Sequence, residues 1–507
     1  MNLLEILTSM RKLPQYLWGG FLLLCSVTSC LSDEEYSVSP SDRLTFSEDT
    51  VKMDTVFSGE LTTTYTFQVY NTGKKALRIP RVYLERGEES PYRVNVNGTF
   101  LIDGQGQDFE ISAKDSMRVF LALNAPDRDQ DNPVEENDKL IFVTEAGVQQ
   151  TVVLTACGQS FIPLDGKVFT TDTVLNSRRP YRVLDSLLVK EGATLTLEKG
   201  VRLFFHQGVD LVVEGRLLAQ GTADEPVVMR GDRLDDMFPL QPYDRVPGQW
   251  GGIIFRENSY GNHLNYCDIH SGSFGLQCDS ADVEREKLRF ENSILHNITG
   301  KGLSVRASRV FVGNSQITNA GGNCVHLRGG HSKFVHCTIG NFYAFAGGRG
   351  VALDFSNADG EVRLPLYSAA FYNSIITGYS RDEIMGGKSD RYEQDEFNYL
   401  FANCLLDTPK AEDEKFQNCL WEEDDENDIK REKNFFPEFD LKQLIFTFGL
   451  GEKSRALHAA DADVTREYYP ADRNGRSRFL DAGPDMGCYE TDLSQFEQQE
   501  AEGDIQE

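Results

Sequence analysis

The sequence predicts an all-β chain in which a small antiparallel sandwich precedes a long parallel β-helix. Residues 44–162 carry short apolar runs of period two, from Pro163 onward glycines recur every 6 to 8 residues, and a four-residue pattern returns at steps of 26, 22, 22, 37 and 30 residues, the last two lengthened by loop insertions. The 507 residues hold 51 basic and 79 acidic side chains, a net charge of −28, which excludes nucleic acid as a partner because polyanion binding needs basic side chains to replace counterions. With 44 glycines, 17 prolines and 10 cysteines, neither a disordered chain nor a disulfide-dense miniprotein fits.

The first element is a leader. Arg11 and Lys12 form a positive segment, and Tyr16 to Val27 is apolar but too short to span a bilayer, which takes about twenty residues. Residues 1–29 therefore read as a signal peptide. Its end, Val27-Thr28-Ser29-Cys30, is similar to the bacterial lipobox. That resemblance implies that Cys30 is acylated and anchors the chain to a membrane, each buried CH₂ contributing about 0.8 kcal/mol. Residues 30–43 are an acidic linker whose run Leu31-Ser32-Asp33-Glu34-Glu35 resembles the surface-export signal of Bacteroidetes lipoproteins and equally suits a solvated spacer.

The second element, 44–162, has about seven strand-like segments, among them Thr64 to Tyr70, Met117 to Leu121, Leu140 to Val143 and Val152 to Leu154, the strand count of an immunoglobulin-like sandwich. Asn71-Thr72-Gly73 is a turn signal. The segment resembles the Hydin-like modules of bacterial envelope proteins, which carry the same V-x-N-T-G turn. Asp127, Asp129 and Asp131 alternate as in a calcium loop, but Asn132 stands where such a loop has glycine and Asp138 where it has glutamate. A solvated acidic loop fits better, and calcium stays open as a cofactor.

The third element spans 163–490. Gly192, Gly200, Gly208, Gly215 and Gly221 separate short runs in which every second residue is apolar, the mark of strands joined by tight turns. Tyr266-Cys267-Asp268-Ile269 returns as Asn292-Ser293-Ile294-Leu295, Asn314-Ser315-Gln316-Ile317, His336-Cys337-Thr338-Ile339, Asn373-Ser374-Ile375-Ile376 and Asn403-Cys404-Leu405-Leu406. Like residues then stack about 4.8 Å apart, in about ten coils of a parallel β-helix. A second column runs through Leu276, Leu303, Val325 and Val351, followed two residues on by Cys278, Val305, Leu327 and Leu353. Cys267, Cys278, Cys337 and Cys404 thereby occupy interior slots, and because serine or valine faces them on adjacent coils they are expected as free thiols. The pairing of Cys324 and Cys419 stays open, and no Cys/His spacing matches a zinc site, so no metal is assigned.

The stretches Gly192-Ala193-Thr194-Leu195, Val213-Glu214-Gly215, Arg230-Gly231-Asp232-Arg233 and Pro247-Gly248-Gln249-Trp250-Gly251-Gly252 resemble right-handed β-helix lipoproteins of Bacteroidetes. The ending Asp472-Arg473-Asn474-Gly475, Arg478 and Asp485-Met486-Gly487-Cys488-Tyr489-Glu490 is similar to the C-terminal motif of those proteins. The resemblance implies a right-handed helix and says little about chemistry. An acid–arginine cap is expected to close the last coil, and residues 491–507 read as an acidic, disordered tail.

Two places offer chemistry. Outward positions of the second column place His326 in a row with Gln277, Ser304 and Ala352, beside a row of Asp279, Arg306, Arg328 and Asp354. This is either a solvated cross-strand charge ladder or the base and cations a polysaccharide lyase needs. The loop Gly231 to Gly251 holds Arg233, Asp235, Asp236, Tyr243 and Trp250, a composition suited either to sugar stacking or to covering the helix. The sequence thus favours a non-enzymatic outer-membrane lipoprotein, periplasmic or surface-exposed, that binds a glycan or an envelope partner. The alternative is a polysaccharide lyase or glycoside hydrolase acting on an acidic glycan.

Overall fold

The computed structural model describes residues 35–422, 435–436, 439–440 and 442–492. The signal peptide, Cys30, the start of the linker, most of the acidic run after Glu422 and the tail beyond Asp492 lie outside the described residues. The chain divides into two units. One takes residues up to Met53 with Gly59–Pro126 and Glu135–Cys157; the other takes Asp54–Ser58, Asp127–Val134 and everything from Gly158.

The first unit is built on two antiparallel sheets. One orders Thr45–Phe46, Tyr65–Tyr70, Ser116–Leu123, Tyr92–Val96 and Thr99–Phe100; the other orders Thr50–Phe57, Gln149–Gln159, Asp138–Val143, Leu77–Leu84 and Gln105–Ile111. Alternation along Ser116–Leu123 buries Met117, Val119, Leu121 and Leu123 and leaves Arg118 outside. Phe46 and Phe142 join the two sheets at 5.3 Å between ring centroids. The N-T-G turn is held by buried Asn71, whose Nδ2 donates to the carbonyls of Lys75 at 2.8 Å and Ile111 at 3.1 Å.

The second unit contains three long parallel sheets, named here A, B and C in the order each coil visits them. Among the described residues sheet A has eleven strands, from Ile162–Pro163 to Leu420–Trp421. Sheet B has nine, from Val168–Phe169 to Ile384–Gly387, and sheet C ten, from Thr173–Leu175 to Phe416–Gln417. Inward residues such as Leu195, Leu203, Leu211, Leu217, Leu264 and Ile269 are fully buried in one continuous core.

The recurring tetrapeptide is a corner between sheets C and A. Its first residue is left-handed, with φ of 51° at Asn292, 50° at Asn314, 50° at Asn373 and 52° at Asn403, a conformation asparagine adopts at little cost. The second residue does more than fill a small slot. Ser293 Oγ donates to the Glu291 carbonyl at 2.6 Å and accepts the Cys267 amide at 2.8 Å; Ser315 repeats this with Gly313 at 2.7 Å and Ser293 at 3.0 Å. The inward corner N–H has no strand partner, and the serine hydroxyl of the next coil supplies one. Cys267, Cys278, Cys324, Cys337 and Cys404 are buried free thiols, and Cys419 is a half-buried one.

Two expectations change. Val325 pairs with Leu353, and His326 with Asp354, so the second column is two residues out of register at its last member. A slip of two preserves the inward–outward alternation, and the insertion between Asn341 and Leu353 hides it. The cap also lies elsewhere than expected. Arg478 is fully buried and donates to Asn314 Oδ1 at 2.9 Å and the Gly487 carbonyl at 2.9 Å, while Cys488 N donates to Thr338 Oγ1 at 3.1 Å. The motif therefore covers the outer face of sheet A along its middle coils rather than the end of the last one. A helix unforeseen from the sequence, Ala462–Tyr468, leads into it, capped by Asp461, which accepts from the amides of Asp463 and Val464 at 2.9 Å each.

Candidate functional site

The outward strip of sheet B is assembled much as the sequence implies, with partners it did not reveal. Arg328 forms a forked pair with Asp354 at 3.0 and 2.8 Å, Arg306 Nε donates to Asp359 at 3.1 Å, and Arg256 reaches Asp279 at 3.3 Å. Lys301 Nζ donates to His326 Nε2 at 3.0 Å, which makes His326 a neutral acceptor. Burial, with Arg328 and Lys301 adding to it, pushes the His326 pKa down to about 4. Burial and then Arg328 also lower that of Lys301. The corrected register places Asp354 opposite His326, with Ser356 taking its expected place beside Arg328. Lys301 was missed because it precedes its strand by two residues.

The loop before sheet B splits its candidates. Trp250 is fully buried, stacked on Phe205 at 4.5 Å with its Nε1 donating to the His270 carbonyl at 2.8 Å. It belongs to the core and offers no face to a ligand, because an indole that finds both an apolar partner and an internal acceptor gains most by burial. Tyr243 lies under the Arg233 guanidinium at 3.7 Å, and Arg233 Nε donates to Asp235 at 2.6 Å. Asp236 stays exposed. Arg233 and Asp235 line a small hollow of about 270 Å³ together with Arg230 and Asp244. The aspartates resembling a calcium loop are engaged otherwise: Asp127 accepts from Ser160 Oγ at 2.5 Å, and Asp129 pairs with Arg179 at 2.5 Å.

A wide concavity lies on the outer face of sheet A. A groove of about 820 Å³ has His296, Ile294 and Gln316 as its floor, the segment Phe446–Leu450 as one wall, and Asp472–Arg476 with Tyr489–Thr491 as the other. Tyr489 Oη donates to Gln316 Oε1 at 2.7 Å. Arg473 also lines this groove, and its Nε is buried with no hydrogen-bond acceptor among the described residues. Aromatic faces beside amide and guanidinium donors are the composition that binds sugar rings and hydroxyls.

A carboxylate–imidazole network adjoins the groove through His296. Asp268 Oδ1 lies 2.9 Å from His270 Nδ1 and 3.2 Å from His296 Nε2, and the two rings are 4.8 Å apart. His270 Nε2 is 2.7 Å from Asp244 Oδ1, which Arg230 also holds at 2.5 Å. Burial opposes charge on His270, but Asp268 and Asp244 outweigh it and hold the imidazole up at about 9. Burial likewise opposes ionisation of Asp244, yet His270 and Arg230 bring it to about 2. The sequence reading assigned no metal, whereas Asp268, His270 and His296 offer three ligand atoms within 4.8 Å of one another. The signal was present as Asp-x-His in one coil and a histidine in the same outward row of the next, since His270 pairs with His296. A search for ligand spacing along the chain cannot see it.

Residues 166–282 match the family described as pectate-lyase like beta helix domain, and residues 244–356 the family described as right handed beta helix region. The coils are thus a right-handed parallel β-helix following an antiparallel sandwich. Among curated proteins, protein bark beetle of Drosophila melanogaster is 31% identical over 84 residues, 16% of this chain, which spans only 3% of that protein. Among solved structures, the ASH / PapD-like domain of human CEP192 overlaps 24% of this chain and 87% of its own at 14% identity and a TM-score of 0.16. A Porphyromonas gingivalis protein of unknown function overlaps 24% of this chain and 59% of its own at 13% identity and 0.17. Likenesses at such scores carry no argument.

Proposed function

We propose that this chain is a lipid-anchored cell-envelope protein, tethered to the outer membrane through Cys30, whose β-helix binds a glycan in the sheet A groove. The observation that carries this reading is the groove of about 820 Å³ itself, lined by Tyr489, Gln316, His296 and Arg473. Hydrogen bonds from a charged guanidinium to ligand hydroxyls contribute about 1.5–3 kcal/mol each. Polysaccharides screened by calorimetry should include one that binds in the groove, with affinity falling about tenfold or more in Arg473→Met. Binding that is absent for every glycan, or indifferent to Arg473, sinks the reading. Loss of metabolic palmitate labelling in Cys30→Ser tests the anchor.

A second reading has its own observation. Neutral His326, beside Lys301 whose pKa burial lowers and the Asp354-paired Arg328, is a base next to cations, as β-elimination from a uronate requires. Unsaturated products released from an acidic glycan by the wild type, and not by Lys301→Met or His326→Gln, would move the function to sheet B and make the chain a lyase.

A further inference from the structure

We infer that Asp268, His270 and His296 form a binding site for a divalent transition-metal ion of the zinc type. The three side chains project from adjacent parallel strands of one sheet, Cys267–His270 and Ile294–Ile298, so the backbone fixes their spacing. Donor atoms about 2.1 Å from a tetrahedral ion lie about 3.4 Å apart. Asp268 Oδ1 stands 2.9 Å from His270 Nδ1 and 3.2 Å from His296 Nε2, and all three atoms fall within 4.8 Å.

The two carboxylates facing the two nitrogens of His270 favour a cation there. His270 Nε2 lies 2.7 Å from Asp244 Oδ1 and Nδ1 lies 2.9 Å from Asp268 Oδ1, so a neutral ring has one N–H for two carboxylates, and the proton placed on Nε2 serves Asp244. A neutral His270 then turns the lone pair of Nδ1 toward Asp268 Oδ1, so that two acceptors meet at 2.9 Å with nothing to share. A positive charge between them satisfies both. Asp244, itself held by Arg230 at 2.5 Å, then stands where the outer carboxylate of a metal-bound histidine stands, fixing the tautomer and raising the basicity of the ring. Two imidazoles with one carboxylate suit zinc rather than calcium or magnesium, which prefer all-oxygen shells. His296 lies on the groove floor, so the site adjoins the groove, from which water or a ligand oxygen would supply a fourth donor. The inference holds whether or not the groove takes a glycan.

The rival occupant of the same space is a proton on His270. The full chain in detergent, stripped with a chelator, is titrated with Co²⁺ as the optical probe and then with Zn²⁺ as competitor. The expected result is one equivalent of Co²⁺ with the intense visible bands of a four-coordinate site, displaced by one equivalent of Zn²⁺. His296→Gln and Asp268→Asn should each lose at least tenfold in affinity, Asp244→Asn should lose about tenfold with the stoichiometry kept, and His326→Gln should bind like the wild type. Melting curves in metal-free buffer establish that the variants fold, and His296→Gln, at a partly exposed position, carries the test should Asp268→Asn not fold. No stoichiometric binding by the wild type, or binding that survives in the ligand variants, assigns the space to the proton and overturns the inference.

Discussion

Arg478→Met keeps the aliphatic stem of a fully buried side chain and removes its guanidinium. The residue donates at 2.9 Å to Asn314 Oδ1, at 2.9 Å to the Gly487 carbonyl, at 3.2 Å to the Asp485 carbonyl, and at 3.3 Å to Glu490 Oε2. Breaking a buried ion pair from one side costs about 3–5 kcal/mol, because the remaining charge has neither water nor partner. Burial first, and then Asp485, push Glu490 up to about 8 even with Arg478 lowering it, and removing Arg478 raises it further, so at pH 5 the orphaned carboxyl carries a proton. At pH 5 the loss should shrink to that of neutral hydrogen bonds, about 2 kcal/mol. Hydrogen exchange reads this locally through amides held by the motif, Gly487 to the Asn373 carbonyl, Cys488 to Thr338 and Glu490 to Asp472. Corrected for intrinsic rates, their exchange should accelerate by about a hundredfold or more near pH 9 and by about thirtyfold at pH 5, each 1.4 kcal/mol being a factor of ten. Protection unchanged at both pH values, or lost equally at both, refutes the account of the motif as a charge-held clamp.

The wild type carries a related pH dependence. Glu490 titrates near 8 in the folded chain against 4.5 unfolded, so its contribution is full below about pH 4.5 and is lost as pH rises toward 8; urea midpoints measured across that window should fall. Trp250→Ala should lower stability by about 3–5 kcal/mol in thermal melts, whereas glycan affinity measured on the folded fraction should not change. Ser315→Ala leaves the Ser293 amide unpaired in the interior and should cost about 1–3 kcal/mol, more than Ser315→Cys, in the same melts. Iodoacetamide on the native protein should modify half-buried Cys419 before Cys267 or Cys337, whose thiols burial pushes up, and mass spectrometry of timed digests reads the order.

The stacking direction was legible because interior positions repeat chemically. Asparagine at a left-handed corner and serine beneath it recur every coil, and pairing of Ile294 with Gln316, Gln316 with Thr338, and Thr338 with Ile375 follows the repeat residue for residue. Register failed only at Leu353, where a loop insertion removes the count and the two-residue period offers an equally good alternative. Outward chemistry was harder to read. Arg306 and Arg328 were found in one outward row and His326 in the row beside it, but Lys301 and Asp359 lie off the strand, and the Asp268–His270–His296 cluster depends on comparing outward positions across coils rather than along the chain. Trp250 decides between the two readings of its loop in favour of covering the helix. A large aromatic in a glycine-rich loop suggests recognition, and only the Phe205 ring beneath it shows that the loop tucks inward.

Stacked coils meet only their neighbours, as Ser315 meets Ser293 across 22 residues, and an array of this kind gains stability one interface at a time. The Arg478 motif departs from that rule. Its bonds reach Asn314 across 164 residues and Thr338 across 150, and the preceding helix reaches His336 through Thr465 across 129. Closing loops of that size adds entropy that neighbouring coils never face, and it raises the contact order of an otherwise local fold. The middle coils therefore finish late: the side wall of sheet A stays open until residues 465–491 arrive, and their docking ties coils formed earlier into a single cooperative block. Damage to the motif should then be felt first in the middle of the array, while the coils before Gln220 keep their own nearest-neighbour stability.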